Sequence, residues 1–429
     1  MNNNIRKQPT SSSQSRKMRL YGQVNSPEAY ALRDFLNRSV VEFDWVELTC
    51  DADCHNELGL PSLENVRLPV VELPTGERMF APTVHEVAER LGWVTQPRFK
   101  EYDLSIYGAG PAGLSAAVYA ASEGLRTVLV ERQAIGGQAG TSSLIENYMG
   151  FPQGIRGADL AERARQQAVK FGIEILLMRE GVKSEFRNNR IYTDMADGSK
   201  MSAKANICAT GIEYRRLDLP NENRFLNLGV FYGAGASEAP FCQNEHVFVV
   251  GGGNSAGQAA MHFSRYAKKV TMVIRGDNLA ASLSHYLVKR ISESASIEVL
   301  FHSEVTGLDG DKALRQIEIS NRREETKQML ETQRLFICIG GMPNTEWAKD
   351  TDIIRDAAGY LVTGSDLLKN GQPPKCWTLG RNPFFLETSV AGSFAAGDVR
   401  HNSIKRVASA VGEGAMAVAF VHKYLEETA

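Results

Sequence analysis

The sequence predicts an α/β fold, and three observations carry this prediction. Short apolar strands alternate with amphipathic or alanine-rich helical segments along most of the 429 residues. Two of the strands run directly into glycine-rich turns, at Gly108–Gly113 and at Gly251–Gly257, and a helical segment follows each turn. A shorter pattern of strands and helices precedes the first turn, between Met18 and Trp93. We therefore expect two similar strand-turn-helix cores and one smaller α/β unit.

The first glycine-rich turn has the spacing of a dinucleotide-binding loop. In Gly108-x-Gly110-x-x-Gly113, the first glycine makes the tight turn, the second lets the backbone approach a pyrophosphate, and the third allows close packing of helix and strand. The helix that follows offers unpaired N–H groups and a positive dipole end. Glu131 ends the next strand, where an acid about 20 residues after the glycines is expected to bind a ribose.

The second glycine-rich turn is a second dinucleotide fingerprint. Strand Val247–Val250 enters Gly251-Gly252-Gly253-Asn254-Ser255-Ala256-Gly257, and the next strand, Val270–Ile274, is followed by Arg275. A basic residue at this place suits the 2′-phosphate of NADP, whereas an acidic residue would suit NAD. The second turn is therefore expected to bind a nicotinamide nucleotide.

Composition excludes several classes of function. Lysine and arginine number 48 against 50 acidic residues, so the net charge is −2, and no long basic block makes nucleic acid a partner. No run approaches the roughly 18 apolar residues that a membrane span needs. The polar segment Met1–Lys17 reads as a flexible tail and not as a signal peptide, so we expect a cytoplasmic protein.

The cysteines predict neither a disulfide framework nor a metal site. None of the six stands three residues from another, so the chain contains no Cys-x-x-Cys pair. Cys50 and Cys54 share i, i+4 spacing but lack a second pair of ligands. We expect no metal.

The N-terminal segment, residues 18–98, resembles a glutaredoxin or thioredoxin-like domain. Its predicted strands are Met18–Tyr21, Phe43–Leu48 and Leu68–Leu73, and Pro69 matches that family's cis proline. Where the family has its Cys-Pro-x-Cys site, this chain reads Ser26-Pro27-Glu28-Ala29. Without thiolates the domain cannot exchange disulfides. A docking or dimerisation scaffold and a stabilising appendage both stay open.

The rest of the chain resembles thioredoxin reductase and its low-molecular-weight relatives among the FAD- and NAD(P)-dependent pyridine nucleotide-disulfide oxidoreductases. The resemblance rests on the two fingerprints together with Ala209-Thr210-Gly211, Pro343-Asn344-Thr345 and Gly397-Asp398 in this order. It implies two Rossmann-like domains, one inserted in the other. The expected bounds are 99–216 and 343–429 for the FAD domain and 217–342 for the NAD(P) domain.

The resemblance also implies the cofactor-binding residues. For FAD these are Gly108, Gly110, Pro111, Ala112 and Gly113 at the pyrophosphate, Glu131 at the ribose, Gly137, Gln138 and Asn147 at the isoalloxazine, Ala209, Thr210 and Gly211, Gly397 and Asp398 near the ribityl-phosphate region, and Arg406, Val407 and Ala408 near the ring. For NAD(P)H they are Gly251, Gly253, Asn254, Ser255, Ala256 and Arg275. His401, close after Gly397-Asp398, is a candidate proton donor to the flavin.

Two departures from the family pattern change the expected activity. Gly233 and Ala236 stand where thioredoxin reductases carry the Cys-x-x-Cys that collects electrons from flavin. Only Arg275 remains of the usual group of NADP-binding arginines. We therefore expect electrons to pass from NADPH or NADH through FAD to a non-dithiol acceptor, either a small molecule or a protein.

Alternatives remain open at this stage. The scaffold also serves ferredoxin reductases, a quinone is an equal candidate acceptor, and the two altered dithiol sites suit a non-catalytic flavin or nucleotide sensor. A second flavin in the nucleotide site is a further alternative. Family habit implies a homodimer and a nucleotide domain that rotates about Tyr214–Leu217 and Gly340–Thr345, a motion that gates turnover in relatives.

Overall fold

The structure is a computed structural model that describes residues 16–428. The expected polar tail therefore lies outside the described residues, apart from Arg16 and Lys17. Three parts of the chain are named here: the N-terminal unit (16–98), the first-loop unit (99–216 and 343–428), which contains Gly108, and the second-loop unit (217–342), which contains Gly251.

The N-terminal unit is a four-stranded sheet flanked by three helices. The strand order is β2-β1-β3-β4, with β1 parallel to β2 and antiparallel to β3. The Leu68–Pro69 peptide bond is cis, as expected. The elements are β1 (Met18–Gly22), α1 (Pro27–Arg38), β2 (Phe43–Glu47), α2 (Asp51–Leu58), β3 (Val70–Glu72), β4 (Arg78–Phe80) and α3 (Val84–Arg90).

Helix α1 begins at strong sequence signals. The Ser26 side chain caps it by accepting a hydrogen bond from the Ala29 N–H at 3.1 Å, and Pro27 occupies the first helical position. Leu32 and Leu36 recur at i, i+4 and lie in the core of the N-terminal unit. Its opposite side is left to face the other two units.

The first-loop unit is built on a sheet that begins with the order β7-β6-β5-β10-β9-β8. Strands β5, β6, β7 and β10 are parallel, so their carboxyl ends share one edge. The elements are β5 (Glu101–Tyr107), α4 (Pro111–Ser122), β6 (Thr127–Glu131), α5 (Gly157–Lys170), β7 (Glu174–Leu177), β8 (Gly181–Arg187), β9 (Arg190–Met195) and β10 (Lys200–Cys208).

The second-loop unit combines a parallel and an antiparallel sheet. Its five parallel strands have the order β12-β19-β13-β14-β15, and β16-β17-β18 form a three-stranded antiparallel sheet. Together with β11 and β20, the two strands at its ends, the elements of this unit are β11 (Ile212–Tyr214), α6 (Glu222–Phe225), β12 (Val230–Tyr232), β13 (His246–Val250), α7 (Asn254–Phe263), β14 (Lys269–Val273), α8 (His285–Ser292), β15 (Ile297–Leu300), β16 (Ser303–Gly310), β17 (Leu314–Asn321), β18 (Thr326–Glu331), β19 (Arg334–Ile337) and β20 (Gly341–Pro343).

Two short strands connect the glycine-loop units. Strand β11 pairs antiparallel with β20 in the register Ile212↔Pro343, so the chain leaves and re-enters at one place. The return segment adds β21 (Ser393–Ala395), parallel to β10, and the long helix α9 (Val407–Glu427). Among the described residues, no helix is long and apolar enough to cross a membrane.

Helix α1 contacts both glycine-loop units. Ala134 of the first-loop unit belongs to the hydrophobic core of the N-terminal unit. On the other side, the rings of Tyr30 and Phe231 lie 5.1 Å apart, so α1 also packs on the second-loop unit. The glycine-loop units meet directly through the ion pair Arg290–Glu146, at 2.6 Å.

One predicted strand is wrong. The sequence of Phe186–Asp194 predicts a single hairpin-type strand, but the structure divides this segment between β8 and β9. Asn188 and Asn189 have φ of +52° and +53°, and together they make the turn between the strands. Paired asparagines tolerate these left-handed conformations, so Asn-Asn was the missed turn signal.

Candidate functional site

The glycines of the first turn have distinct steric roles. Gly108 has φ +101°, and a Cβ there would lie 2.4 Å from the carbonyl oxygen of Ala209. A Cβ on Gly113 would lie 1.8 Å from the carbonyl oxygen of Gly108, so this position needs glycine for packing. At Gly110 the nearest atom to such a Cβ is 4.0 Å away. The backbone at Gly110 is therefore left open to a ligand.

This open backbone faces a cavity of about 1250 Å³, larger than the ~300–1,000 Å³ of ordinary ligand clefts. The cavity runs along the carboxyl ends of the parallel strands and reaches the second glycine turn. Most of the sequence-predicted site residues line it: Gly108, Gly110, Pro111, Ala112, Glu131, Gly137, Gln138, Asn147, Ala209, Thr210, Gly211, Gly253, Asn254, Ser255, Gly397, Asp398, Arg406 and Val407.

Glu131 fixes the geometry of the first turn. It ends β6 and is buried, and its Oε2 accepts a hydrogen bond from the Ala109 N–H at 2.7 Å. Its Oε1 accepts from the Gln133 N–H at 2.8 Å. A carboxylate offers about four acceptor sites, so both oxygens retain capacity for a ribose hydroxyl.

The start of the last helix also lines the cavity and lies beside the first turn, since a Cβ on Gly397 would be 2.9 Å from Ala112 Cβ. Arg406 is the N-cap residue of α9, and the positive end of the helix dipole lies there. Burial raises the pKa of Asp398 above its usual value, although the positive charge of Lys405 acts against the shift. Gly397 donates its N–H to Glu413 at 2.7 Å, which holds the segment on the helix.

Several polar side chains at the site hold the protein's own backbone. Gln138 Nε2 donates to the carbonyl oxygen of Ile212 at 2.8 Å, and Thr210 Oγ1 donates to that of Asn344 at 2.9 Å. Asn254 Oδ1 accepts from the Ser284 N–H at 2.7 Å. These side chains hold the loops in position, and the backbone of the loops faces the cavity.

The second turn repeats the architecture of the first. Gly251 has φ +132°, and a Cβ there would lie 2.2 Å from the carbonyl oxygen of Cys338. No atom lies within 4 Å of a Cβ placed on Gly253, so its backbone is open. Gly253 lines the same cavity as Gly110.

Some sequence-predicted residues do not line the cavity. Gly113, Gly251 and Ala256 pack behind the turns, against the protein interior. Ala408 lies on α9 but does not line the cavity. Arg275 is exposed two residues beyond the end of β14. His401 Nδ1 lies 2.6 Å from Asp356 Oδ2, so the candidate proton donor is paired with a carboxylate outside the cavity lining.

The space beside Gly233, where the resemblance leads us to expect the first relay cysteine, is filled by Tyr214. Gly233 has φ +86°, and a Cβ there would lie 2.4 Å from the Tyr214 hydroxyl. That hydroxyl lies 3.3 Å from Thr141 Oγ1, and burial raises the pKa of Tyr214 to about 12. Tyr214 therefore stays protonated at neutral pH and occupies the space beside the strand end.

The lining residues that the sequence did not predict include Arg38, Tyr214 and Cys338. Burial raises the pKa of the Cys338 thiol to about 12, so it is no nucleophile at neutral pH. Arg38 comes from the N-terminal unit, and no local motif marks a residue that reaches a cavity in another unit. Tyr214 had a signal, since it lies in the expected hinge segment Tyr214–Leu217 next to the cavity.

Arg33 of α1 is buried at the boundary with the second-loop unit. Its Nη2 lies 2.9 Å from Glu238 Oε1, and the two side chains are 2% and 1% exposed. Its guanidinium lies over the rings of Trp45 and Phe241, with centroid distances of 4.5 and 4.8 Å. The ion pair and its aromatic neighbours join the N-terminal unit to the segment that follows Gly233.

Comparison with known proteins places this chain in a family. The sequence profile described as "Pyridine nucleotide-disulphide oxidoreductase" matches residues 102–414. A thioredoxin reductase of Treponema pallidum (strain Nichols) is 33% identical over 326 residues, which cover 76% of this chain and 98% of the relative. The "34.2 kDa protein in rubredoxin operon" of Clostridium pasteurianum is 32% identical, with the same coverage of 76% and 98%.

A solved structure agrees with these sequence relatives. The crystal structure of T. acidophilum thioredoxin reductase superposes with a TM-score of 0.68 and 28% identity, and the match covers 77% of this chain and 100% of that chain. The family match begins at residue 102, after the N-terminal unit. The chain belongs to the pyridine nucleotide-disulphide oxidoreductase family and is a thioredoxin reductase-like, FAD-dependent NAD(P)H oxidoreductase.

Proposed function

We propose that the protein takes hydride from NAD(P)H on the second turn and passes the electrons through FAD, bound on the first turn, to an acceptor that is not a dithiol. The observation that carries this proposal is the single cavity lined by both open glycines, Gly110 and Gly253. Hydride transfer requires nicotinamide and flavin to approach each other, and one shared cavity meets this requirement.

The residues that line the first part of the cavity fit FAD. The open backbone at Gly110 and the N-terminus of α4 suit its pyrophosphate, and Glu131 has free acceptor capacity for its ribose. Asp398 and the N-terminus of α9 line the same cavity, and the ribityl and ring portions are assigned to them. When bound, FAD supplies the two-electron redox chemistry, and the protein supplies orientation and exclusion of solvent.

The residues of the second turn are assigned to the nicotinamide nucleotide. Gly253, Asn254 and Ser255 present the loop and the N-terminus of α7 to the cavity. Arg275 is the candidate contact to a 2′-phosphate, and with a single arginine the preference for NADPH over NADH is expected to be weak. His401 keeps only a remote proton-transfer role in this proposal, because its imidazole is held by Asp356.

The non-dithiol acceptor is inferred from the strand end at Gly233. A dithiol relay needs two cysteines that can join in one disulfide, and residues 233 and 236 are glycine and alanine. The Tyr214 hydroxyl fills the space that a cysteine side chain at 233 would enter. The proposed acceptor is therefore a small molecule, such as a quinone, or a one-electron protein carrier that receives electrons without thiols.

We further propose that the N-terminal unit is a thioredoxin-like domain used as an internal brace. Its strand order and helix placement agree with that fold, and Ser26 stands at the cap of α1 where the fold carries its first cysteine. The other face of α1 contacts the segment after Gly233 through Arg33, and it contacts Phe231 of β12 through Tyr30. A separate thioredoxin-type partner would have to displace this helix to reach the same segment.

The first experiment is an anaerobic spectral titration of the FAD-loaded protein with NADPH and, separately, with NADH. Rapid bleaching of the flavin band by either nucleotide supports the reductase. Absence of bleaching, with a flavin that dithionite still reduces, would overturn hydride transfer and favour the sensor. Steady-state assays with ferricyanide, quinones, ferredoxin and rubredoxin then identify the acceptor class, with thioredoxin expected to be inactive.

A further inference from the structure

We propose that Arg38, the last residue of α1, is a flavin-binding residue, so that the N-terminal unit supplies part of the FAD site. This inference rests on the proposed function, because it takes FAD to be the ligand of the first turn. It goes further by giving the N-terminal unit a direct contact with the cofactor in addition to its bracing role.

The side chain of Arg38 leaves its own unit and reaches the first turn. Its Nη2 donates to the carbonyl oxygens of Ala134 and Gly137, each at 3.3 Å. Gly137 lies directly against the turn, since a Cβ on it would be 3.1 Å from Gly110 Cα. Arg38 therefore lines the cavity beside the backbone assigned to the cofactor.

The guanidinium has hydrogen-bonding capacity left over. Its Nη1 makes no hydrogen bond within residues 16–428, whereas its Nε is enclosed by protein. The two bonds from Nη2 are longer than the ~2.9–3.0 Å of typical N–H···O bonds. An anionic oxygen is the partner that best satisfies such a free donor of a charged group.

The charge of Arg38 is only weakly compensated. Its Nη1 lies 3.5 Å from Asp34 Oδ2, which is longer than a charge-assisted hydrogen bond of about 2.7–2.9 Å. Arg33, one turn earlier on the same helix, differs because Glu238 pairs with it at 2.9 Å. Positive charge on Arg38 is thus available to a ligand in the cavity.

A cationic donor at this place has two anionic targets on FAD. One is the pyrophosphate, whose charge is the same in oxidised and reduced FAD. The other is the isoalloxazine, which gains electron density on reduction. Contact with the pyrophosphate strengthens the binding of both redox forms equally, whereas contact with the ring strengthens binding of the reduced form more and raises the midpoint potential.

The test measures FAD binding to the deflavinated full-length protein by flavin fluorescence, without any nicotinamide, for Arg38→Gln and Arg38→Lys. Exposed Arg67 of the N-terminal unit provides the matched control, because Arg67→Gln removes the same charge away from the cavity. We expect Arg38→Gln to weaken FAD binding at least about tenfold, as for loss of one charge-assisted hydrogen bond. Arg38→Lys should weaken it less, and Arg67→Gln should leave it unchanged.

The midpoint potential of the bound flavin, measured with a reference dye, separates the two targets. An unchanged potential with weaker binding assigns Arg38 to the pyrophosphate, and a lowered potential assigns it to the ring. Unchanged affinity and potential in folded Arg38→Gln would overturn the inference. If that variant does not fold, equal FAD affinity of Arg38→Lys and wild type would overturn it. Failure of the wild type to bind FAD would instead refute the proposed function.

Discussion

At the scale of single residues, the contact of α1 with the second-loop unit depends on a buried ion pair. Arg33 and Glu238 are almost fully inaccessible to solvent, and Arg33 Nε and Nη1 and Glu238 Oε2 have no other hydrogen-bond partner among the described residues. Removing either charge leaves the other buried without compensation. The pair therefore specifies the packing of two units more than it adds net stability.

Arg33→Met is expected to lower the free energy of unfolding by about 3–5 kcal/mol, because it leaves the Glu238 carboxylate buried and unpaired. The double variant Arg33→Met/Glu238→Met should recover most of this loss. Urea unfolding of both single variants and the double variant gives the coupling energy. Arg290→Met, at the exposed pair with Glu146, is the matched control and should cost less than about 1 kcal/mol. Additive effects at Arg33 and Glu238 would contradict the interpretation.

His262 makes the stability of the protein pH-dependent. Burial lowers its pKa from 6.5 to about 4, and the charge of Arg265 adds to the shift. Between these values the unfolded chain binds the proton and the folded protein does not, so acidification from pH 6.5 towards 4 destabilises the fold. His262→Gln should reduce the slope of stability against pH in this window and leave it unchanged above pH 7. Equal slopes for both proteins in urea unfolding would refute this.

At the scale of elements, the end of β11 packs against the end of β12. Tyr214 is the last residue of β11, and its hydroxyl lies against Gly233 just beyond β12. The contact joins β11, in the expected hinge, to the segment where the resemblance predicts relay thiols. A side chain at position 233 therefore competes for space with an element that connects two units.

Gly233→Ala should destabilise the protein more than Gly124→Ala. Both glycines have nearly the same left-handed conformation, with φ of +86° and +85°, but no atom lies within 4 Å of a Cβ on Gly124. Each substitution costs about 1 kcal/mol for the backbone conformation, and overlap with Tyr214 adds about 1–3 kcal/mol at Gly233. Thermal unfolding measures both. Tyr214→Ala should remove the excess cost at Gly233, and an equal cost in both backgrounds would contradict the overlap.

The sequence predicted those elements that are determined by residues close together in the chain. Both glycine turns, their strands and Glu131 follow from steric requirements within about 25 residues, and the structure places them as expected. The β8–β9 hairpin was not predicted, because two turn-forming asparagines within the apparent strand end one strand and start the next. The sheet β16–β18 was not anticipated, since its polar outer faces give weak alternation. Arg38 and Tyr214 reach the cavity from distant elements, which no local pattern encodes.

At the scale of the whole molecule, α1 lies where the three units meet. It contacts the first-loop unit through Arg38 and the second-loop unit through Arg33. A rotation of the second-loop unit of the kind implied by the family resemblance would break the contact at Arg33. The arrangement therefore favours a single orientation, in which the second turn already faces the cavity.

The radius of gyration of the FAD-loaded protein is expected to stay constant when excess NADP⁺ is added, because the braced units do not reorient. Small-angle X-ray scattering measures this directly. Arg33→Met should increase the radius of gyration or make it depend on nucleotide, since α1 then loses its fixed partner. A nucleotide-dependent change in the wild type would show that the brace does not hold.

The contact between Tyr214 and Gly233 also bears on how easily a dithiol relay could arise in this chain. Under the proposed function, such a relay requires cysteines at positions 233 and 236 and, in addition, a smaller residue at 214. A chain that acquired the cysteine at 233 first would carry a steric overlap without any new activity, and a chain that lost Tyr214 first would open a gap beside the cavity. Selection for stability acts against each single step. The Tyr214 side chain is therefore expected to oppose the stepwise gain of thiol chemistry.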